Sequence, residues 1–372
     1  MPKNPAPWQP GGTPQTRRSV LRAVGATGAA LSLGGTLAGC GATDDPAAGR
    51  PSSTSTARPA TLRVALGWIK NVEFAGFWIA DSAGYYAEEN LSVQFQPGGP
   101  NTPDSTQLLA TGSADIGVHA NMQTLLQAIT KGNDFVMAGS GFQTNPGGLV
   151  SLASAPVTRP RDLLGAKVLG QQGSKPQLDA ILELAGLRKD FDFIPVGFDV
   201  GPLVEKQGKV LTCYLTSQPI ALESKYGMKK GKDYQAVTYE SMGLPAYASI
   251  VYCHRKFLDG QRDVMQRFLR ASIRGWQENA RDPERAARLA VEKYGADLGL
   301  DLKQQIRENE VQIPFTENAL TRRKGLFRMD TQRLGGPMYA ALRASGVKSL
   351  PDAGKVVDQS VLDEIYGSRN RI

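Results

Sequence analysis

The sequence is poor in the residues that build metal sites and disulfide scaffolds. It holds three cysteines and two histidines in 372 residues, and no grouping of His, Cys, Asp and Glu has the spacing of a metal site. A disulfide-rich scaffold is therefore excluded, and neither a metal ion nor a cofactor is expected. Cys213 and Cys253 lie on separate predicted strands, where they either pair or remain two buried thiols.

The chain also lacks a block of lysine and arginine. Its formal net charge is +8, but residues 1–39 carry four basic and no acidic side chains, so the rest carries only +4, spread over many segments. Nucleic-acid binding is therefore not expected. Nucleotide and serine-hydrolase motifs are missing too, because Gly98-Gly99-Pro100 is not followed by Gly-Lys-Ser/Thr and no nucleophile elbow occurs.

No run of about twenty strongly apolar residues is present, yet the amino terminus resembles an export signal. Arg17-Arg18 precede an uncharged, glycine-rich stretch that ends at Leu37-Ala38-Gly39-Cys40. This end resembles a lipobox, in which small residues before Cys40 fit the signal peptidase and the thiol accepts a diacylglycerol. Residues 1–39 are thus expected to be a twin-arginine lipoprotein signal peptide.

Residues 40–60 are rich in Ser, Thr, Pro and Ala, which predicts a flexible tether. The expected location is the outer face of the cytoplasmic membrane, with a lipid anchor at Cys40.

Beyond the tether, predicted strands alternate with predicted helices. Residues 61–66 and 91–95 have the period of strands, and residues 74–87 between them have helical spacing. The alternation continues to a strand at 247–252, and the remaining chain is mainly helical. This order predicts an α/β fold with mostly parallel sheet covered by helices.

A weak internal repeat, called the echo below, accompanies the alternation of strands and helices. Residues 112–118 and 208–214 each follow a helix, enter a strand and end in polar residues. Two lobes of one design would produce that echo.

Four motifs occur in the order and spacing of a known family. They are Leu66–Ala80 (LGWIKNVEFAGFWIA), Gly84–Leu91 (GYYAEENL), Gly112–Gly117 (GSADIG) and Leu163–Lys167 (LLGAK). Over residues 61–345 the chain resembles the periplasmic-binding-protein-like family that includes the yeast thiamine-pyrimidine synthases and the pyrimidine-precursor and sulfonate binding proteins of ABC importers.

The resemblance implies a two-lobed type II periplasmic-binding-protein fold with two crossing strands. Lobe one is then 61–149 plus 251–372, and lobe two is 150–250. The ligand sits between the lobes, whose closure signals to a permease and its ATPase. A monomer that performs no chemistry is expected.

Candidate ligand contacts in lobe one follow predicted strands, at the sheet edge where ligands bind. Trp68 offers a flat face and Asn71 a donor and an acceptor. Phe74 stands where family members often have His, which favours a larger or less polar ligand, and Phe77 belongs either to the core or to the cleft. His119 and Asn121 leave the next strand, with His119 either a capped loop residue or a ligand contact.

Candidate contacts in lobe two surround two helix starts and one strand end. The free N–H groups at the first helix start favour a polar or anionic group, although Ser174 could simply cap that helix. Asp199 could cap the next helix or accept from an amine, and Tyr214 could face Trp68 across the ligand. The set comprises Gln172, Gly173, Ser174, Asp199, Tyr214, Thr216 and Gln218.

The residues and the resemblance together predict a receptor for a small planar heteroaromatic. A thiamine pyrimidine precursor is the first choice, riboflavin or a related flavin the second, and a sulfonate the third. The synthases of the family hold pyridoxal phosphate on a Lys and use a His and a cysteine-rich run. The matching positions here are His119, Gln123 and residues 242–247, which lack cysteine. An enzyme and a surface adhesin remain the alternatives.

Overall fold

Two five-stranded sheets organise the chain in the computed structural model, which describes residues 57–100 and 102–372. The strands are β1 (Ala60–Leu66), β2 (Leu91–Gln96), β3 (Ile116–His119), β4 (Phe135–Phe142), β5 (Gly147–Leu152), β6 (Ala166–Gly170), β7 (Phe191–Pro195), β8 (Val210–Tyr214), β9 (Tyr234–Thr238) and β10 (Ala248–His254).

The two sheets have the same topology. Their strand orders are β2-β1-β3-β10-β4 and β7-β6-β8-β5-β9. In each sheet the first three strands are parallel, and the fourth runs antiparallel to both of its neighbours. The echo seen in the sequence corresponds to β3 and β8, which occupy the same third position.

The expectation of a mostly parallel sheet needs correction, because both sheets are mixed. The antiparallel strands β5 and β10 are the ones that the chain enters from the other sheet. The chain crosses between residues 142 and 147 and again between residues 238 and 248. These two crossings confirm the predicted two-lobed α/β fold. Strand β5 lies wholly in the second sheet, although its first residues were assigned to lobe one.

Helices cover both faces of each sheet, so the central strands are buried on both sides, whereas the edge strands β2, β7 and β9 are partly exposed. The helices are α1 (Ala75–Ser82), α2 (Tyr85–Glu88), α3 (Ser105–Ala110), α4 (Met122–Thr130), α5 (Lys175–Leu184), α6 (Gly201–Val204), α7 (Gln218–Tyr226), α8 (Arg255–Gly260), α9 (Arg262–Asn279), α10 (Pro283–Leu289), α11 (Leu302–Gln312), α12 (Ala319–Lys324), α13 (Thr331–Arg333), α14 (Tyr339–Ala344), α15 (Ala353–Val356) and α16 (Ser360–Tyr366).

Several predicted helices are shorter or interrupted. The helix predicted over 74–87 divides into α1 and α2, because Gly84 adopts a φ of 78° at the start of the second helix. In the mainly helical part after β10, a π-helical segment containing Pro337 separates α13 from α14. Helix α14 packs on α5 and places Ala341 in the core of the second sheet.

The expected export segment, the lipid-anchored Cys40 and most of the tether lie outside the described residues. Ala60, assigned to the tether, already pairs with Leu91 in the first sheet. Across residues 57–100 and 102–372, no helix combines the length and apolarity needed to cross a bilayer. Cys213 and Cys253 lie in different sheets and are buried free thiols. Of the two alternatives, a disulfide or two buried thiols, the structure has the thiols.

Candidate functional site

A cavity of about 600 Å³ lies between the two sheets. Its walls come from the segments that follow β1, β3, β6 and β8, from the two crossings and from α11. The carboxyl ends of parallel strands in both lobes therefore face one space, which is where open α/β sheets bind ligands. The volume is typical of small-molecule sites.

Trp68 is held at the end of β1 by a close backbone approach. The N–H of Gly98 donates to the carbonyl of Trp68 at 2.9 Å. A Cβ atom on Gly98 would lie 2.4 Å from the carbonyl oxygen of Leu66, so only glycine fits. The turn Gly98-Gly99-Pro100 thus packs against the backbone at Trp68 and does not itself line the cavity.

Asn71 both shapes the wall and faces the cavity. Its Oδ1 accepts from the backbone N–H of Glu73 at 3.1 Å and starts the 3-10 turn Val72–Phe74. Its carbonyl accepts from the indole N–H of Trp78 at 2.8 Å. Asn71 is thus a structural cap whose amide also remains at the cavity wall.

The second lobe supplies a wall whose side chains hydrogen-bond to neighbouring groups of the same lobe. Gln218 accepts from the backbone N–H of Tyr214 at 2.7 Å. Ser174 donates to the carbonyl of Gln171 at 2.7 Å. Its hydroxyl oxygen lies 3.2 Å from that of Thr212, and it makes no side-chain cap for α5. The capping alternative for Ser174 is therefore wrong.

Six further predicted contacts can be placed. The structure puts Asn121, Gly173, Ser174, Tyr214, Thr216 and Gln218 at the cavity wall with Trp68 and Asn71. Gln172 lies in the 3-10 turn Gln172–Ser174 before α5.

The ring that contacts Trp68 at the cavity wall is Phe198. The two ring centroids are 5.3 Å apart with an edge-on angle of 65°. Phe198 is 52% exposed, which is unusual for phenylalanine. Tyr214 and Tyr239 also line the cavity, but Tyr214 makes no ring pair with Trp68, so the predicted partner of Trp68 needs correction.

Phe74 and Phe77 lie in the core and not in the cleft. Their exposed fractions are 1% and 0%, and Phe77 stacks on Phe268 with centroids 5.9 Å apart. The helix α1 turns this face toward α9, away from the cavity. The inference about ligand size drawn from Phe74 is therefore wrong.

His119 and Asp199 are also outside the cavity wall and have structural partners instead. Nδ1 of His119 accepts from the backbone N–H of Asn121 at 2.8 Å. The other ring nitrogen, Nε2, therefore carries the proton and donates to Asp104 at 3.0 Å. Burial opposes ionisation of Asp104, but this hydrogen bond and those from Thr106 outweigh it and lower the pKa of the carboxyl.

Asp199 binds the first backbone N–H of α6, although Val200 holds the N-cap position. Its Oδ1 accepts from the N–H of Gly201 at 2.6 Å, and its Oδ2 lies 3.8 Å from the ammonium of Lys225. His119 positions the loop that presents Asn121, and Asp199 orders the loop that presents Phe198.

Two buried carboxyl groups at the cavity wall were missed by the sequence reasoning. Glu73 and Glu308 are 9% and 4% exposed. Burial raises the pKa of Glu73 to about 7, with a further contribution from the charge of Glu308. Burial also raises the pKa of Glu308 to about 7, against the hydrogen bonds of Gln304, Gln305 and Ser217.

Helix α11 carries a row of polar side chains that lines the cavity: Gln304, Gln305, Glu308 and Gln312. Gln305 accepts from the N–H of Val72 at 2.9 Å, and Gln312 donates to the carbonyl of Val72 at 2.7 Å. Their spacing of three to four residues marks one helix face. That spacing is visible in the sequence, but nothing local distinguishes this row from a solvated face.

Within the described ranges, no group of three or more His, Cys, Asp or Glu side chains could hold a metal ion. Of the described residues that line the cavity, Lys225 is the one cation. The site is therefore aromatic and amide-rich, with buried acidic groups.

The chain is similar in sequence to several known proteins. The riboflavin-binding protein RibY of Chloroflexus aurantiacus is 26% identical over 82% of this chain and 86% of its own. The formylaminopyrimidine-binding protein of Halalkalibacterium halodurans is 24% identical over 68% and 76%. A 4-amino-5-hydroxymethyl-2-methylpyrimidine phosphate synthase of Schizosaccharomyces pombe is 27% identical over 55% and 62%.

Among solved structures, the periplasmic aliphatic sulphonate binding protein SsuA of Escherichia coli superposes with a TM-score of 0.60 at 17% identity. The match covers 82% of this chain and 99% of that protein, and it supports the periplasmic-binding-protein fold. The model of the NMT1/THI5-like family matches residues 71–286. The chain therefore belongs to the NMT1/THI5-like family.

Proposed function

We propose that this protein is the solute-binding component of an ABC importer, anchored by Cys40 outside the cytoplasmic membrane after twin-arginine export. The observation that carries the proposal is the cavity between two lobes of equal topology, lined by the strand ends of both. Hinge motion at the two crossings closes the lobes on the solute and signals to a permease and its ATPase. The relatives named as binding proteins support this role.

The proposed ligand is a small planar nitrogen heteroaromatic, with a thiamine pyrimidine precursor first and a flavin second. Trp68 and Phe198 supply apolar ring surface from opposite lobes. Asn71, Asn121 and Gln304 place side-chain amides at the cavity wall, which suits ring nitrogens and exocyclic amines.

A sulfonate ligand is disfavoured by the charges of the cleft. Sulfonate sites need cationic or N–H donors around a permanent anion. Here Glu73 and Glu308 are buried at the wall, and Lys225 faces Asp199. The likeness to sulfonate-binding structures thus extends to the fold and not to the proposed ligand.

Ligand capture without turnover is part of the proposal. Burial raises the pKa of the Cys213 thiol, which keeps this cavity-lining cysteine protonated and unreactive. His119, at the position matching the synthase lysine, is committed to Asp104 and to the Asn121 backbone.

A thermal-shift and native mass-spectrometry screen tests this function. We expect a saturable, one-to-one complex with an aminopyrimidine or a flavin, and no shift with aliphatic sulfonates. Recovery of the bound compound unchanged would support a receptor. A response to sulfonates alone would overturn the ligand class, and conversion of the compound by the purified protein would overturn the receptor role.

Trp68→Ala should weaken binding of the captured heterocycle by about 1–3 kcal/mol, roughly 5- to 150-fold in Kd, because it removes one stacking face. Titration calorimetry measures the change, and Trp68→Phe should retain most of the affinity. Tyr226→Ala is the control, since Tyr226 is 44% exposed and does not line the cavity. An unaltered Kd in Trp68→Ala would make Trp68 a structural residue only.

A further inference from the structure

The carboxylate of Glu73 is buried at the cavity wall without a protein partner. Its backbone N–H is bonded to Asn71, but within the described chain its side chain makes no hydrogen bond and no ion pair. Burying an uncompensated carboxylate costs several kcal/mol. Without ligand, burial favours the protonated form of Glu73, and a cationic partner that arrives with the ligand would stabilise the ionised form.

A second polar group at the same place also lacks a partner. The hydroxyl oxygen of Tyr214 is fully buried and makes no hydrogen bond. The charge of Glu73 contributes to raising the pKa of Tyr214, after burial, and both side chains line the same cavity. Tyr214 lines the cavity from the second lobe and Glu73 from the first, so a ligand between the lobes meets both.

Among the described residues, no cation forms an ion pair with Glu73. Glu308 adds negative charge, and its two oxygens already accept from Gln304 at 2.7 Å and Gln305 at 2.8 Å. Lys225 faces Asp199 at 3.8 Å. Within the described part of the chain, the titratable or charged groups that line the cavity are thus Glu73, Glu308, Tyr214, Lys225, Tyr239 and Cys213.

We propose that Glu73 and the Tyr214 hydroxyl form a seat for a positively charged, N–H-donating group of the ligand, of the amidinium type found in a protonated aminopyrimidine. The inference rests on the proposed function and narrows its ligand class. The carboxylate accepts two parallel N–H bonds from the amidinium edge, and the tyrosine hydroxyl donates to a neighbouring ring nitrogen. Glu308 adds attraction for the positive charge without direct contact.

The seat explains why the cleft combines aromatic walls with carboxyl groups. Trp68 and Phe198 recognise the ring faces, which many heterocycles share. Glu73 contacts the ring edge, where an amino group donates hydrogen bonds and a carbonyl accepts them. A site built to accept hydrogen bonds from an amino group binds an analogue without that amino group weakly. The buried carboxylate is then left unpaired, which costs free energy.

Calorimetric titration with two matched probes tests the seat. The probes are 4-amino-5-hydroxymethyl-2-methylpyrimidine and its 4-hydroxy analogue, which has the same shape but cannot form an amidinium. We expect the wild-type protein to bind the amino compound at least tenfold more tightly. Glu73→Gln should remove most of this difference, and Tyr214→Phe should reduce it.

Glu310→Gln is the matched control, because Glu310 lies on the same helix as Glu308 but is exposed and pairs with Arg307. It should leave the preference unchanged. Thermal unfolding confirms that each variant is folded before titration. Glu308→Gln supplies a second variant, expected to weaken the amino compound without abolishing the preference.

Equal binding of the two probes by the wild type, or a preference that survives in Glu73→Gln, would overturn the seat. Capture of a flavin or a sulfonate with no binding of either pyrimidine would also overturn the seat while leaving the receptor role intact. Failure of every compound in the panel to bind would instead count against both the seat and the proposed function.

Discussion

Phe77→Ala should lower the free energy of unfolding by about 3–5 kcal/mol and leave the Kd of the folded protein nearly unchanged. Phe77 is fully buried and its ring lies within 5.9–6.5 Å, centroid to centroid, of Phe74, Phe95, Phe268 and Trp276. Truncation therefore opens a cavity at the centre of the α1–α9 contact. Chemical denaturation followed by circular dichroism measures the loss.

Phe198→Ala is the reciprocal control. Its ring is 52% exposed and contacts Trp68 across the cleft, so its loss should affect affinity far more than stability. If Phe77→Ala instead weakened binding in the folded protein with little loss of stability, the assignment of Phe77 to the core would be contradicted.

The ligand-free protein should lose stability as the pH rises from about 5 to 8, and Glu73→Gln should reduce that loss. Burial raises the pKa of Glu73 from 4.5 to about 7. Between those values the folded state keeps a proton that the unfolded state releases, so the free energy of unfolding falls with rising pH. The shift corresponds to about 3 kcal/mol for this group at pH 8.

Glu73→Gln is therefore expected to be more stable than the wild type at pH 8 and similar to it at pH 5. Denaturation midpoints across the pH range measure both effects. Glu310→Gln should follow the wild-type profile, since its carboxyl group is exposed. A Glu73→Gln variant that is less stable at pH 8 would mean that the carboxylate has a stabilising partner after all.

A stabilising substitution at a cavity wall has a functional meaning. Natural proteins retain destabilising groups where binding or catalysis needs them. If Glu73→Gln gains stability at pH 8 and loses the preference for the amino probe, the same carboxylate is responsible for both results. The two measurements are independent, because one is made without ligand and the other compares two ligands.

Much of the fold could be predicted because local patterns repeat along the chain. The strand and helix periods of residues 61–95 predicted β1 and β2 to within two residues at their ends. Strand β9 and helix α7 were missed. Strand β9 is short and largely half-buried, so its apolar residues do not alternate cleanly. Helix α7 has a mixed surface and a proline in its first turn.

The candidate site was predictable where function follows strand ends. Trp68, Asn121 and Tyr214 follow or end strands of one design, and all three line the cavity. Phe74 was misplaced and Phe77 was left open between core and cleft, because an aromatic residue on a helix has the same spacing whether its face meets the core or a cleft.

Glu73 and Glu308 were missed for a different reason. They lie far apart in the sequence, and nothing in the neighbourhood of either predicts that the other is near. Only the packing of α11 against the turn at Val72 joins them at one wall.

The sequence by itself determined the alternation of strands and helices, the repeated design of the two lobes and the strand ends at which ligand contacts were expected. These features depend on periodicity and on neighbours along the chain. The tertiary structure decided which aromatic rings are core, which ring contacts Trp68, and that two carboxyl groups share a cleft in which no cation of the described residues pairs with either. Those features depend on contacts between segments distant in sequence, where burial changes the pKa of a group that would be ordinary in water.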